Sequence, residues 1–208
     1  HNGSMEHAKK LISVAATAQA DAVKFQLFRA AKLYPSNAGA SDYIQSERSI
    51  YDIVSDMEMP YEWVPELADY CRKQGIIFLS SAFDEESVDR LDPYVPAYKI
   101  ASYEMTHLPL VRHIARKGKP VIISTGTADI NEVNETVEAF YETKNSNLIL
   151  MQCTASTRTS GWKRSCAKRI RVARGAARTG RALVSPIVAH NQGKTDCVGI
   201  KPHLPRVD

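Results

Sequence analysis

The sequence has few of the features that mark several common classes of protein. No run of 18 apolar residues occurs, so no membrane-spanning helix is predicted. No Gly-x-Gly-x-x-Gly pattern follows an apolar run, which weakens a dinucleotide-binding interpretation. Residues 1–4 carry neither an initiator methionine nor the basic-then-apolar pattern of a signal peptide. We therefore expect the sequence to begin partway through a longer chain.

Cysteines are also few. The sequence has four, and no two of them have the spacing of a zinc ribbon or of a disulfide framework. Reduced thiols in a cytoplasmic protein are therefore the expectation. The chain can still form a core, because 44% of its 208 residues are hydrophobic, and its length suits one large domain or two small ones. The cysteines are Cys71, Cys153, Cys166 and Cys197.

Acidic residues almost disappear from the last quarter of the chain. Residues 1–156 hold 15 Lys and Arg against 21 Asp and Glu, whereas residues 157–208 hold 12 Lys and Arg against two Asp. All nine Tyr and all five Phe precede position 157. The formal net charge of +4 therefore describes neither part. We divide the chain into a segment 1–156 and a basic tail 157–208.

The basic tail has three interpretations. Nine Lys and Arg without an acid between 158 and 181 are typical of a nucleic-acid- or anion-binding tail, although Trp162 is its one aromatic residue. A basic amphipathic helix at a membrane surface would have only Ala and Val as anchors. The abrupt loss of acids, Tyr and Phe favours a frameshifted or mis-assembled reading frame. We favour the third interpretation, and so expect neither a membrane nor a nucleic-acid partner.

Five short apolar runs alternate with helical patterns in the first segment. Continuous apolar strands indicate a parallel sheet that is buried on both faces, which leaves an open doubly wound sheet or a closed barrel. Polar residues end every run, and this favours a barrel whose functional face lies at the carboxyl ends of its strands. The fold class predicted is α/β, a partial (β/α)₈ TIM barrel. The predicted strands are 22–26, 76–81, 98–102, 121–124 and 148–154.

Helix signals fill most of the gaps between these strands. Ser4 and Asp84 have the positions of N-caps, Asp129 and Glu132 have the form of a capping box, and Gly75 has the position of a helix C′ residue. Residues 29–60 mix turn-formers with short helical pieces and give no clear assignment. The predicted helices are one from Ser4 and those at 62–73, 84–91, 108–117 and 129–143.

Two lysines lie inside the predicted strands, where an ammonium group is costly unless it is paired or binds an anion. The structural explanation for Lys24 and Lys99 is an ion pair, for example with Glu104. A Schiff base with a carbonyl substrate is a second possibility. Two lysines among several hydroxyls fit better with a substrate that carries both a carboxylate and a phosphate.

The next strand end adds a possible phosphate site. Ser124, Thr125 and Gly126 offer hydroxyls and free backbone N–H groups at a strand-to-helix turn, although this tripeptide alone is a weak signal. Glu104 has the chemistry for proton transfer or for orienting a hydroxyl. Its alternative role is a favourable charge at a helix N-terminus.

A series of motifs over residues 1–156 closely resembles the N-terminal barrel of the sialic acid synthase family, the N-acetylneuraminate synthases and their legionaminate and pseudaminate relatives. The resemblance is strong because the motifs occur in order at suitable spacing. They are Asn2-Gly3-Ser4, Ala20-Asp21-Ala22-Val23-Lys24-Phe25-Gln26, Phe78-Leu79-Ser80-Ser81-Ala82-Phe83-Asp84, Lys99-Ile100-Ala101-Ser102-Tyr103-Glu104, Leu108-Pro109-Leu110, Gly118-Lys119-Pro120, Ser124-Thr125-Gly126 and Cys153-Thr154.

This resemblance implies a transferase that condenses phosphoenolpyruvate with an N-acylated amino sugar of the N-acetylmannosamine type and releases phosphate. It implies a divalent metal, manganese or magnesium, and commonly a homodimer. By position, Glu104 would lie beside the reacting carbons, with Lys99 as a second catalytic residue. Ser124 would contact the phosphate of phosphoenolpyruvate, and Gln26 would help to hold the sugar. The residues that would bind the carboxylate of phosphoenolpyruvate and its surroundings are Lys24, Ser81, Lys99 and Ser102.

The sequence departs from the family pattern in several ways. Ser81-Ala82 replaces the usual Thr-Pro, which keeps the hydroxyl. Four features of the family are not found: the first strand with its glutamate, the two metal-binding histidine motifs, the Tyr-Pro-x-Pro after Ser156 and the antifreeze-like domain. His190 and His203 match neither histidine motif. We therefore expect the first strand and the last two to be missing, no metal ligands in this chain and little synthase activity from it alone. The alternatives are a non-catalytic module with a basic tail and another phosphoenolpyruvate-condensing barrel.

Overall fold

The computed structural model describes residues 1–40 and 48–152, together with the backbone of 182–184. A single 3₁₀ turn spans Glu104–Thr106. The helices are α1 (Met5–Thr17), α2 (Ala30–Leu33), α3 (Ile50–Ser55), α4 (Trp63–Lys73), α5 (Glu85–Leu91), α6 (Leu108–Arg116) and α7 (Ile130–Tyr141). The strands are β1 (Ala22–Leu27), β2 (Ile77–Ala82), β3 (Tyr98–Ile100), β4 (Val121–Ser124), β5 (Leu148–Met151) and β6 (Ala182–Val184).

The strands form one parallel sheet in which spatial order equals chain order, β1-β2-β3-β4-β5-β6. A doubly wound sheet reverses its order at a switch point, and this sheet has no such reversal among its described strands. Sequential parallel pairing with intervening helices is the arrangement of a (β/α) barrel. The structure therefore confirms the partial barrel and excludes the doubly wound alternative.

Helix ends lie where the capping signals predict them. The Asp84 carboxylate accepts from the backbone N–H of Ser87 at 3.0 Å, and Asp129 and Glu132 form a complete capping box at the start of α7. Gly75 follows α4 with φ +69°, a left-handed conformation that favours glycine. These local signals fix where the helices begin and end, and so set the lengths of the loops at the two ends of the sheet.

The two faces of the sheet have different roles. Side chains alternate along each strand, so Phe25, Phe78, Ile100 and Ile123 lie on the face that packs against the helices in the main hydrophobic core. Lys99 alternates with Tyr98 and Ile100 and therefore lies on the opposite, inner face. Five cross-strand positions on this inner face are Gln26, Ser81, Lys99, Ile122 and Ile149, each in register with the next.

Two regions go beyond the sequence expectations. Within residues 29–60, the short helices α2 and α3 pack around a small separate cluster of Phe28, Ala30 and Val54. Strand β6 lies inside the basic tail, where we predicted no strand, and pairs with β5. Its three residues, Ala-Leu-Val, are too short a run to stand out between arginines. The rest of the tail and the division at 156/157 lie outside the described residues, and that division stays a prediction.

Cys71 is the one cysteine among the described residues. It is a free thiol, fully buried on α4, and burial raises its pKa to about 12. A thiol that stays protonated is a packing group rather than a nucleophile. The other three cysteines lie outside the described residues. None of the described helices has the length and apolar character to cross a membrane.

Asn145 connects three elements at the amino-terminal end of the sheet. Its Nδ2 donates to the carbonyl oxygens of Ala115, at 2.9 Å, and Lys119, at 3.0 Å. Its Oδ1 accepts from the backbone N–H of Asn147 at 2.9 Å. The side chain is 8% exposed, so water would not replace these bonds fully if they were lost.

We predict that Asn145→Ala lowers the free energy of unfolding by about 1–3 kcal/mol, because it removes the Nδ2 donor to the Ala115 and Lys119 carbonyl oxygens and the Oδ1 acceptor of the Asn147 N–H. Urea unfolding followed by circular dichroism measures the change. Asn147→Ala, two residues away on an exposed side chain, is the matched control and should change stability by less than about 0.5 kcal/mol. Equal effects of the two substitutions would contradict the prediction.

Candidate active site

The carboxyl ends of the strands bring the predicted site residues to one edge of the sheet. Gln26 on β1 pairs in register with Ser81 on β2, which pairs with Lys99 on β3. Residues paired in register project to the same face, so these three side chains form one row across the inner face. Lys24 lies on the same face of β1, two residues earlier. The parallel register therefore brings these predicted site residues together on one face of the sheet.

Lys99 is the charged residue of this row, and it is buried, with 7% of its surface exposed. Its Nζ donates to the Oγ of Ser124 at 2.6 Å and to the carbonyl oxygen of Ile100 at 2.6 Å. These bonds offset part of the desolvation of the ammonium group. Because Ser124 Oγ accepts from Lys99, its own proton is available to donate to an anion. Lys99 and Ser124 thus form a joined cation and hydroxyl at the ends of β3 and β4.

Ser102 lies in the connection after β3 and is held by the turn after β4. Its Oγ accepts from the backbone N–H of Gly126 at 3.0 Å, and its carbonyl oxygen accepts from Thr127 Oγ1 at 2.9 Å. The N–H of Thr125 donates to the Met151 carbonyl oxygen at 3.1 Å. The expectation of free N–H groups at Thr125 and Gly126 was therefore wrong. These two N–H groups make hydrogen bonds within the protein, to Ser102 and to Met151, and are not available to a ligand.

Glu104 is the first residue of the 3₁₀ turn. Its Oε2 is buried and has no hydrogen-bond partner among the described residues. Burial raises the pKa of this carboxyl above its ordinary value, while a hydrogen bond from its own backbone N–H and the positive charge of Lys99 act in the opposite direction. A carboxyl group of raised pKa, close to a lysine, is suited to holding or passing a proton.

The remaining three predicted residues differ in exposure. Ser81 is almost fully buried at 1% exposure, Lys24 is half-buried and Gln26 is exposed. Lys24 lies two residues before Gln26 on β1, at the preceding inner-face position. Exposure to solvent therefore increases across the inner face, from the buried side chains on β2 and β3 to the more exposed polar side chains on β1. The roles of these side chains toward a ligand stay predictions.

The sequence analysis missed two polar groups at this edge. Gln152 directly follows β5, and its Nε2 is buried without a hydrogen-bond partner among residues 1–40 and 48–152. Thr127 is exposed yet bonds to Ser102. The predicted strand 148–154 includes Gln152, whereas the observed strand ends at Met151, so the overlong strand prediction hid the position of Gln152 at the strand end. No sequence signal marks Thr127, since its bond depends on two loops meeting.

The described residues do not form a metal centre. In the two ranges 1–40 and 48–152, no group of three His, Cys, Asp or Glu side chains comes together as metal ligands do. The divalent metal implied by the family resemblance therefore finds no ligand set there. It stays an expectation, and no chemical step is assigned to it.

The comparison with protein-family models matches residues 11–160 to the NeuB family. Three curated relatives are similar over the same part of the chain. The spore coat polysaccharide biosynthesis protein SpsE of Bacillus subtilis is 43% identical over 157 residues, covering 74% of this chain and 42% of that protein. The pseudaminic acid synthase of Campylobacter jejuni is 37% identical over 166 residues, covering 77% and 48%. The N,N'-diacetyllegionaminic acid synthase of the same organism is 37% identical over 161 residues, covering 74% and 48%.

Solved structures agree with these matches. The crystal structure of SpsE from Bacillus subtilis aligns with a TM-score of 0.68 at 37% identity, covering 88% of this chain and 49% of that one. The N-acetylneuraminic acid synthetase of Leptospira borgpetersenii aligns with a TM-score of 0.73 at 23% identity, covering 89% and 60%, and supports the fold alone. The chain spans less than half the length of the three curated relatives named above.

We predict that Glu104→Gln stabilises the protein at neutral pH. The raised pKa means that the folded state binds the Glu104 proton more tightly than the unfolded chain does. The corresponding stability is present at low pH and is lost as the pH rises through the folded-state pKa. A neutral amide avoids this loss, so the variant should gain stability above that range and match the wild type below about pH 4.

Urea unfolding midpoints measured from pH 4 to pH 8 test this expectation. Glu138→Gln, on an exposed position of α7, is the control and should not reproduce the pH-dependent gain. A Glu104→Gln protein that is less stable than the wild type at pH 7 would show that the carboxylate has a stabilising partner.

Proposed function

Because the chain belongs to the NeuB family, we propose that it carries the phosphoenolpyruvate-binding half of a synthase. The proposed reaction condenses phosphoenolpyruvate with an N-acylated amino sugar, giving a sialic-acid-like nonulosonic acid and inorganic phosphate. Such an enzyme is a transferase that forms a carbon–carbon bond. Two of the relatives named above are named as synthases of pseudaminic acid and of N,N'-diacetyllegionaminic acid, which supports this class of reaction.

The observation that carries the proposal is the Lys99–Ser124 pair at the carboxyl ends of β3 and β4. It joins a buried cation to a hydroxyl whose proton is available, at a hydrogen-bond distance of 2.6 Å. Lys24 and Ser81 add a second cation and a second hydroxyl on the same inner face. Phosphoenolpyruvate carries a carboxylate and a phosphate, and this set of donors matches those two anionic groups.

The roles proposed for these residues are those that the family resemblance implies for their positions in the sequence. Lys24, Ser81, Lys99 and Ser102 would bind the carboxylate end, and Ser124 would donate to the phosphate. The methylene carbon of the substrate attacks the aldehyde carbon of the open-chain sugar, and positive charge develops at the adjacent carbon. Water adds there and phosphate leaves. Fixed donors around the two anionic groups neutralise the carboxylate and the departing phosphate without reorganising during the step.

Two further residues act on the acceptor side of this scheme. Glu104, with its raised pKa and its unpartnered Oε2, would lie beside the reacting carbons and move a proton to or from the sugar oxygen or the water. Gln26, exposed at the β1 edge, would hold the sugar. The acceptor itself stays open, and a different aldehyde acceptor would make the protein another phosphoenolpyruvate-condensing barrel synthase. A panel of sugar aldehydes separates these outcomes.

The alternative of a non-catalytic module with a basic tail depends on residues 157–208. Apart from the β6 backbone, those residues lie outside the described part of the chain. The described residues provide the anion-binding row but add nothing in favour of a nucleic-acid partner. We therefore place the function at the carboxyl edge of the sheet.

We predict that Lys99→Met weakens phosphoenolpyruvate binding by about 10- to 100-fold, because a hydrogen bond to a charged group contributes about 1.5–3 kcal/mol. Methionine is apolar and of similar length, so the buried position stays filled and the fold is retained. Isothermal titration calorimetry of the 208-residue chain measures the affinity. Lys117→Met removes a lysine that pairs with Asp89 away from the row, and should bind like the wild type.

Two results would refute the proposed site. Equal affinities for wild type and Lys99→Met would mean that the anion binds elsewhere. Equal losses in Lys99→Met and Lys117→Met would mean that only net charge matters.

We also predict little or no synthase activity from the 208 residues alone. The chain spans less than half of its curated relatives, and its described residues contain no metal-ligand cluster. The test incubates the chain with phosphoenolpyruvate, N-acetylmannosamine and manganese, and measures nonulosonic acid and phosphate. Robust product formation would contradict this prediction while supporting the proposed reaction.

A further inference from the structure

The connection between β3 and α6, residues 101–107, carries two residues of the proposed site, Ser102 and Glu104. Three hydrogen bonds join this connection to the unit that follows it, which consists of β4, α7 and the turn between them. We propose that Thr127 and Thr136, both on this unit, are positioning residues that hold Ser102 and Glu104 in place for ligand binding. Their functional role rests on the proposed function, whereas their contacts do not.

Thr127 contacts the backbone of Ser102, while Gly126 contacts its side chain. The Thr127 hydroxyl donates to the Ser102 carbonyl oxygen at 2.9 Å, and the Gly126 N–H donates to Ser102 Oγ at 3.0 Å. Two consecutive residues of one turn therefore bind the backbone and the side chain of Ser102. Removing the Thr127 hydroxyl would leave one of these two contacts and allow Ser102 to rotate.

Thr136, on α7, contacts the backbone of the 3₁₀ turn. It is fully buried on α7, and its Oγ1 lies 2.8 Å from the carbonyl oxygen of Met105 and 2.8 Å from that of Glu132. The Glu132 contact is the back-bond that threonine commonly makes within a helix. The Met105 contact is different, because it crosses to another element and fixes the residue next to Glu104. Met105 itself is fully buried, so the turn is held by both packing and a hydrogen bond.

The same β4–α7 unit also orients the lysine of the row. Ser124, at the end of β4, accepts from Lys99. One strand–helix unit thus contacts three groups that belong to β3 and the connection after it. Glu104 depends most on these contacts to the β4–α7 unit, because its Oε2 has no hydrogen-bond partner among the described residues. Its environment depends on where the turn lies.

Paired valine and serine variants at each threonine test the proposal in the 208-residue chain. Valine keeps the branched shape and removes the hydroxyl, and serine keeps the hydroxyl. Calorimetry gives the affinity for phosphoenolpyruvate, ¹³C NMR gives the titration of the Glu104 carboxyl, and ¹⁵N NMR gives the chemical shift of the Gly126 amide. Lys99 is the charged group that acts on Glu104, and it is unchanged in every variant.

For Thr127→Val we expect phosphoenolpyruvate affinity to fall by about tenfold, the loss of one hydrogen bond's contribution. The Gly126 amide should shift and the Glu104 titration should stay as in the wild type. For Thr136→Val we expect the Glu104 titration to move toward the ordinary carboxyl range, because a released turn exposes the carboxyl to water. Thr127→Ser and Thr136→Ser should each restore the wild-type values.

The proposal fails if the folded valine variants match the wild type in titration, amide shift and affinity. It also fails if the serine variants behave like the valine variants, since the effect would then come from packing. Should Thr136→Val not fold, Thr136→Ala replaces it, because alanine suits a helix interior. If the wild type does not bind phosphoenolpyruvate, the proposed function is refuted, and the Glu104 titration and the Gly126 shift still decide whether the two threonines position their partners.

Discussion

The burial of one ammonium group, that of Lys99, constrains the arrangement of the whole site. A cation at 7% exposure on the inner face of a sheet requires acceptors close by, because water no longer solvates it. The Ser124 hydroxyl and the Ile100 carbonyl oxygen provide them. The pairing of β3 with β4 brings the Ser124 hydroxyl to 2.6 Å from the ammonium nitrogen. The ammonium group of Lys99 also places a positive charge close to Glu104, which limits how far burial can raise the pKa of that carboxyl.

The sheet can accommodate a buried ammonium group because its two faces carry different kinds of side chain. The helix-facing side chains, such as Phe78, Tyr98 and Ile123, are buried in an apolar core that stabilises the fold. The inner face of the same strands is then free to carry polar groups at its carboxyl end. Alternation along a strand makes this separation automatic, since every second residue faces the other way. Stability and site chemistry can thus be encoded in the same short segments.

Sequence patterns predicted the elements whose signals are local. Strand runs, the Asp129 capping box and Gly75 depend on neighbours within a few residues, and the structure confirms them. The placement of Lys99 and Ser124 at one edge followed from parallel pairing. What failed depended on contacts distant in sequence. The N–H of Gly126 is used by Ser102, 24 residues away, and the contact of Thr136 with Met105 spans 31 residues. Neither leaves a pattern that can be read along the chain.

The matched relatives limit what this part of the chain can determine. Proteins named for pseudaminic acid and for legionaminic acid are equally identical to it, at 37% over 166 and 161 residues. Features shared with both therefore do not decide which sugar is accepted. The proposed anion-binding residues, from Lys24 to Ser124, would suit a donor substrate that is common to different acceptors. In that proposal acceptor choice depends on other groups around them, and exposed Gln26 at the β1 edge is the described residue proposed to contact the sugar.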